Sequence, residues 1–293
     1  MMTRRERLRR CYVHKELGRP GVYFRTGYPK DDSTYDPVRA YVEAHTDRKV
    51  IRPAAASEPP PPVEHRTEPH SDDWDRVVTT LHTPAGDLTA TRLASRRGKP
   101  GLHETFFIQD RADAETYLSL PLPEPGGDVE AVREADRAVG DAGICQIQLG
   151  FNPAGHAAEL CGSECFALLS ATDRDGLHAL CERQMQVLRR RVAFCASRGL
   201  GPYFGLLGQE YVVPPMHGPA DCADFNVRYD RPILDAVHEA GGRMHVHCHG
   251  RLGAVLGQFV EAGIDVLHPI EPPPMGDLTA PAAKDITRGR TTI

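Results

Sequence analysis

From Ile144 onward, short apolar runs alternate with longer amphipathic ones, and this repeat restricts the fold more than any other feature of the chain. The short runs are ICQIQLG (Ile144 to Gly150), PYFGLLG (Pro202 to Gly208), RMHVHCH (Arg243 to His249) and IDVLHPI (Ile264 to Ile270), with a last fragment at Arg290 to Ile293. Between them apolar residues recur at helical spacing. One stripe holds Leu177, Leu180, Cys181, Leu188, Val192 and Cys195, a second Ile233, Leu234 and Val237, and a third Leu252, Val255, Leu256, Phe259 and Val260. Repeated strand-helix-strand units imply a parallel sheet with right-handed crossovers, since each helix must return over one face of the sheet. The pattern predicts an α/β chain built as a (β/α)8 TIM barrel, a fold that holds about 250 residues as one unit, so residues 1–293 read as a single domain. An open doubly wound sheet is the rival, but no glycine-rich phosphate turn follows an early strand.

The segments before the repeat read as decoration. Arg4 to Arg10 is a basic, solvated helix face, and Gly21 to Arg25 (GVYFR) a short buried strand. Residues 53–63 (PAAASEPPPPV) are a surface loop, because proline lacks the N–H that a helix or central strand needs. Two β-rich runs around Pro84-Ala85-Gly86 predict a hairpin over about 76–94.

Composition removes several functions. Apolar residues at 40%, with 27 glycines, are enough for a buried core. A net charge of −5 supplies no basic field for a phosphate backbone, so nucleic acid is not expected as a partner. No stretch approaches the roughly 20 apolar residues of a membrane span, and MMTRRERLRR has no apolar run behind it. A cytoplasmic protein is expected, with its eight cysteines as free thiols. Cys161 and Cys165, one helical turn apart, could clamp a metal, but no His or Cys partner stands nearby at zinc-site spacing, and buried small hydrophobes are the simpler reading.

In such barrels reactive groups stand at the carboxyl ends of the strands. That rule selects Arg25 with Tyr28, Gln209 with Glu210, the group His245, His247, Cys248 and His249, and His268 with Glu271. A strand alternates its side chains, so His245, His247 and His249 share one face while Met244, Val246 and Cys248 share the other. The apolar face suits the helices, which aims the imidazoles at the barrel axis, where each ring nitrogen must be hydrogen-bonded or metal-bound. His245, the deepest, reads as a satisfied core residue. His247 and His249 are close enough to share a divalent ion with a carboxylate or thiolate from another strand, or to be hydrogen-bonded without one. Glu210 and Glu271 could reach the same mouth as ligands or as general acid or base, although Glu271 before Pro272 equally reads as a turn residue. Glu104 is a weaker candidate.

Read in order, GVYFRTGYP, LGFNPAGHAAEL, GQEYVVPPMHGPADCADFNVRYDRPILDAVHEAGG, HVHCHG and GIDVLHPIEPPPMGD resemble the uroporphyrinogen decarboxylase superfamily from Gly21 onward. That superfamily includes cobalamin-dependent methyltransferases that pass methyl groups between a corrinoid protein and a thiol such as coenzyme M. The resemblance implies a barrel enzyme for metal-dependent methyl transfer, with zinc as the divalent metal and a corrinoid as methyl carrier. It implies a small-molecule substrate and a corrinoid protein as partners, no membrane, and allows a homodimer. In the methyltransferase branch a His-x-Cys-Gly signature holds zinc, and the matching stretch is His247-Cys248-His249-Gly250. His247 carries over, His249 stands where the thiolate would be, and Cys248 lies one residue off, so these three are the expected metal ligands. Glu210, Glu271 and Arg25 are the expected catalytic residues; Arg25, Tyr28, Asn152, Gln209 and His268 are expected to bind substrate. Uroporphyrinogen decarboxylases carry Arg-Gln-Ala-Gly-Arg after the first strand, whereas this chain has Arg25-Thr26-Gly27-Tyr28. One arginine fewer weakens recognition of an octacarboxylate, since guanidinium pairs are what grip such groups. Decarboxylation in porphyrin biosynthesis is therefore the alternative, and a non-catalytic tetrapyrrole- or corrinoid-binding barrel the third reading. Relatives continue beyond the strand at Arg290 with a helix and an eighth strand, so the barrel is expected to be truncated after strand 7.

Overall fold

The computed structural model describes residues 2–23, 31–54, 56–58 and 61–293. The chain opens with helices α1 (Arg4–Tyr12) and α2 (Asp36–His45) and strand β1 (Arg48–Pro53). A peripheral stretch follows, with β2 (Ala56–Glu58), β3 (Val63–Pro69), β4 (Trp74–Thr83), β5 (Gly86–Ser95), β6 (Leu102–Thr105), α3 (Arg111–Leu118) and β7 (Glu124–Gly126). The repeat comprises α4 (Val129–Val139), β8 (Gly143–Phe151), α5 (Pro153–Thr172), α6 (Arg174–Ser197) and β9 (Tyr203–Leu207). After it α7 (Pro219–Asp221) runs through a π-helical turn, Cys222–Val227, into α8 (Arg228–Glu239). The last elements are β10 (Arg243–His247), α9 (Leu256–Ala262), β11 (Val266–His268) and α10 (Ala280–Thr287).

Five strands form one parallel sheet in the order β1-β8-β9-β10-β11. Single bridges extend it at both edges, Tyr23 to Asp47 and Thr292 to Val266. The sheet is strongly curled. Laid flat, strands spaced about 4.8 Å apart would put Tyr23 more than 20 Å from β11. Instead the Tyr23 and His268 rings lie 6.5 Å apart. The described residues thus show a mixed α/β fold with a curled five-stranded parallel sheet covered by helices.

Alternation decides what each face carries. Cys145, Ile147, Leu149, Phe204, Leu206, Met244, Val246 and Leu267 point outward into one core with the helices. The three stripes read from the sequence are buried there as well. Each such side chain removed from water contributes about 1.5–3 kcal/mol, which fixes the strand faces. Inside the curl, Ile144, Tyr203 and Val266 pack under Leu8 and Tyr12, so α1 plugs the amino end of the sheet. Above this plug the inner face turns polar. Tyr12 Oη donates to Gln146 Oε1 at 3.1 Å, and Gln146 Nε2 donates to Gln148 Oε1 at 3.2 Å.

Gly205 on β9 makes room for those amides, since a Cβ there would lie 2.1 Å from Gln146 Nε2 and 2.4 Å from Gln148 Oε1. Gly205→Ala is expected to lower stability by about 1–3 kcal/mol through overpacking, read from the urea midpoint. An unchanged midpoint would show that the two amides swing aside freely.

Several expectations need correction. The strand expected at Gly21 to Arg25 is represented by the Tyr23 bridge, and Val22 and Tyr23 are exposed rather than buried; Arg25 lies outside the described residues. Strand β1 was not expected, because in RKVIRP only Val50 packs against the core. The proline-rich loop contains β2, which pairs with β7. The hairpin is present as β4 and β5, but β3 and β6 join it in a four-stranded antiparallel sheet. Glu104, on β6, is ion-paired with Arg76 at 2.6 Å on that exposed sheet. Strands β10 and β11 end earlier than read, at His247 and His268.

Candidate active site

All five strands run parallel, so their carboxyl ends meet at the open end of the curl, opposite α1. His247 on β10 and His268 on β11 are cross-strand partners, and both face inward. Their Nδ1 atoms are 3.3 Å apart. One level deeper, His245 stacks on His268 with centroids 6.1 Å apart. One level higher, past the end of the strand, the His249 ring stands edge-on to His247 at 4.8 Å. The three imidazoles of the β10 segment therefore share a side, and His268 adds a fourth.

Glu271 joins this group from the loop after β11. Its Oε1 lies 3.0 Å from His249 Nδ1 and its Oε2 accepts the Gly250 N–H at 3.0 Å, so it ties the two loops together. These two bonds hold its carboxyl below the ordinary range. Glu210 stands in the turn after β9, where its Oε2 accepts the Gly208 N–H at 3.1 Å. Burial raises its pKa, while the nearby His249 opposes that shift. The neighbouring Tyr211 hydroxyl donates to Glu159.

Burial first, then the other imidazoles and the Lys49 ammonium, push His247 and His268 below the usual histidine range. The same causes act more strongly on His245. Neutral rings accept protons, hydrogen bonds or metal ions through an unprotonated nitrogen. His245 Nε2 is buried and has no hydrogen-bond partner among the described residues, which overturns its reading as a satisfied core histidine.

Cys248 is a correction. It is fully buried on the outward side, its Sγ contacts the His249 carbonyl oxygen at 3.5 Å, and burial holds the thiol well above its usual pKa. It does not converge with His247 and His249, because alternation along β10 sends it among the helices. The Cys161 Sγ donates to the Ala157 carbonyl and the Cys165 Sγ to the carbonyls of Ile108 and Gln109.

Asn152 and Gln209 also stand elsewhere than expected. Both are fully buried behind the strand ends. Asn152 caps α5 by accepting the Gly155 N–H, and its Nδ2 donates to Asn226 Oδ1 at 2.8 Å and Asp230 Oδ1 at 3.1 Å. Gln209 Nε2 donates to Asp230 Oδ2 at 2.9 Å, and Asn226 Nδ2 donates to the Gln209 carbonyl at 3.0 Å. The π-helical turn delivers Asn226 to this point, and the first turn of α8 delivers Asp230. The network locks the turns after β8 and β9, the second of which carries Glu210. Arg25 and Tyr28 lie outside the described residues.

A metal can be tested against these donors. Two imidazole nitrogens about 2.0–2.1 Å from a tetrahedral zinc stand about 3.3–3.4 Å apart. His247 and His268 match that spacing at 3.3 Å. Among the described residues no three His, Cys, Asp or Glu side chains stand together as a complete metal cage. The pair fits two positions of an ion, and the expected thiolate does not.

Strand-end reasoning missed Lys49, which comes from β1 to the same interior. The signal was a lone lysine alternating with Val50 in RKVIRP, legible only once β1 is known to be a strand. A separate cavity near the start of β9, lined by Val132, Asp136 and Leu200 among others, gathers no imidazole.

No protein-family model matches this chain, and neither does any curated protein. Among solved structures it is similar to a methyltransferase from Methanosarcina mazei, at 12% sequence identity and a TM-score of 0.60. That match covers 99% of this chain and 82% of the other. At this identity the likeness is one of fold. Among the described residues no helix is long and apolar enough to cross a membrane.

Proposed function

We propose that this chain is a methyl-transfer enzyme whose centre is the imidazole and carboxylate cluster at the carboxyl ends of β9, β10 and β11. The observation that carries this reading is the convergence of His247, His249, His268 and Glu271 at the end of a parallel sheet where such folds place their chemistry. The shared fold with a methyltransferase supports the reaction class. The curled sheet is then the greater part of a (β/α) barrel, and the corrinoid methyltransferase branch of the uroporphyrinogen decarboxylase superfamily is the family proposed.

A divalent ion, zinc by the nature of its donors, would be held by His247 and His268, with His249 and Glu271 adjacent. Bound there, it supplies a Lewis acid that lowers the pKa of a thiol acceptor. The chain's own groups do the rest. Glu271 orients His249 through Nδ1 and pins Gly250. Glu210, whose burial makes its carboxylate a stronger base, takes up the thiol proton at Oε2. The α1 plug closes the amino end of the curl, so substrate enters from the carboxyl side.

The test is an anaerobic assay of the purified chain with methylcobalamin as donor and 2-mercaptoethanesulfonate as acceptor, alongside its zinc content. Thioether formation well above the buffer rate, with about one zinc per chain, is expected. No thioether at any metal loading, with uroporphyrinogen decarboxylated instead, would replace this reading with the carboxy-lyase one. Glu271→Gln should slow transfer about 10-fold or more by releasing His249, with little change in thermal midpoint. A rate equal to that of the parent chain would remove Glu271 from the site.

A further inference from the structure

The interior of the curl holds a cation and an orphaned ring nitrogen that the proposed transfer chemistry does not use. Alternation on β1 sends Val50 into the helix-side core and Lys49 to the other face, toward the imidazoles. Its Nζ lies 3.5 Å from the Tyr23 hydroxyl and 4.7 Å from the centroid of that ring. These are weak partners for an ammonium. Among the described residues no carboxylate pairs with it, and segment 24–30 contains no acidic side chain. The charge nevertheless reaches across the curl, since it disfavours protonation of His245, His247 and His268.

Lys49 is half-buried, and a cation partly withdrawn from water is ordinarily paired, because desolvation is costly without a counter-charge. Here burial alone lowers the Lys49 pKa to about 7, with no acid opposing the shift. The second observation is independent of the first. His245 is 5% exposed, and its Nε2 has no hydrogen-bond partner among the described residues. Both gaps lie on the inward face: His245 is one level below the His247–His268 pair, and Lys49 shares the face of its register partner Ile144. A ligand oxygen accepting from Lys49 Nζ and from the Nε2–H of a neutral His245 ring would complete both.

We propose that Lys49 and His245 form a subsite for an anionic group of the substrate, a carboxylate, sulfonate or phosphate, held beneath the reacting end at His247 and His268. This rests on reading the imidazole cluster as the active centre, and it adds that the substrate is an anion entering charged end first. Lys49 is then a specificity determinant. Its charge selects the ligand, and its depth sets how far the reacting atom stands from the anionic end.

The experiment measures binding without turnover. Sodium methanesulfonate, acetate and phosphate are each titrated into the purified full chain at constant ionic strength, with heat of binding and thermal midpoint as readouts. Saturable one-to-one binding by at least one of them is expected, and whichever binds tightest identifies the anionic group. Lys49→Met should weaken that binding 10-fold or more, Lys49→Arg should retain it to within about 5-fold, and Lys284→Met, at a surface helix, should leave it unchanged. His245→Phe should weaken it while Lys49 is intact. Should Lys49→Met fail to fold, as judged by circular dichroism, the Arg and His245 variants still decide. Binding that is absent, or the same in the Lys49 and His245 variants as in the parent chain, would overturn the inference as an adventitious ion only. Loss of anion binding leaves the methyl-transfer reading standing, and absence of methyl transfer leaves the anion site standing, so the two failures are distinguishable.

Discussion

His247→Ala is expected to slow methyl transfer by about 10²–10⁴-fold, the usual share of a directly acting imidazole, while moving the thermal midpoint little. The two halves of that result have different causes. His247 is half-buried at the end of β10, and its contacts are with the His268 and His249 rings rather than with the apolar core, so truncation opens no sealed cavity. Its Nδ1, however, is one of two donors at 3.3 Å, and removing it leaves His268 alone. The His247→Ala/His268→Ala double variant should therefore be scarcely slower than either single one, because groups that act as a unit are not additive. Multiplicative losses would show two imidazoles acting separately. An active His247→Ala chain with an unchanged midpoint would take the reaction away from this cluster.

The second large effect concerns stability and comes from Asp230. Its carboxyl is enclosed between Asn152 and Gln209, and burial pushes its pKa up to about 7 against the pull of those two hydrogen bonds. In the unfolded chain the same group titrates near 3.9. The folded protein therefore binds the extra proton between about pH 4 and 7, and stability falls as pH rises through that window. The contribution is full below the unfolded pKa and lost above the folded one. The loss is on the order of 4 kcal/mol for a shift of this size. Asp230→Asn keeps an acceptor oxygen for Asn152 and carries no charge, so its urea midpoint should stay nearly flat over this range and exceed that of the parent chain at pH 8. Equal pH slopes in the two chains would mean that Asp230 is ionised without cost in the folded state.

Much of this architecture is legible in the residues. The stripes at Leu177 to Cys195 and Leu252 to Val260 are buried because helical spacing leaves them no other way to face the sheet. Alternation at Met244 to His249 separates the imidazoles from Cys248. It also prevails over the family resemblance, which pointed to Cys248 as a ligand. What the residues conceal is long-range. Strand β1 anchors itself through Val50 alone, so RKVIRP carries no apolar run, and Lys49 gains its place only from the curl of the whole sheet. Asn152 and Gln209 look like mouth residues because they are polar and follow strands. The buried partners that draw them inward come from the distant turn at Cys222–Val227 and from the first turn of α8.

The most direct measurement is the position of a bound thiol, obtained by crystallising the chain with 2-mercaptoethanesulfonate. The expected result is a sulfur atom against the His247 and His268 rings, with the sulfonate lying deeper beside Lys49 and His245. A sulfur bound elsewhere, or these imidazoles packed beneath the helices out of its reach, would contradict the site proposed for this chain.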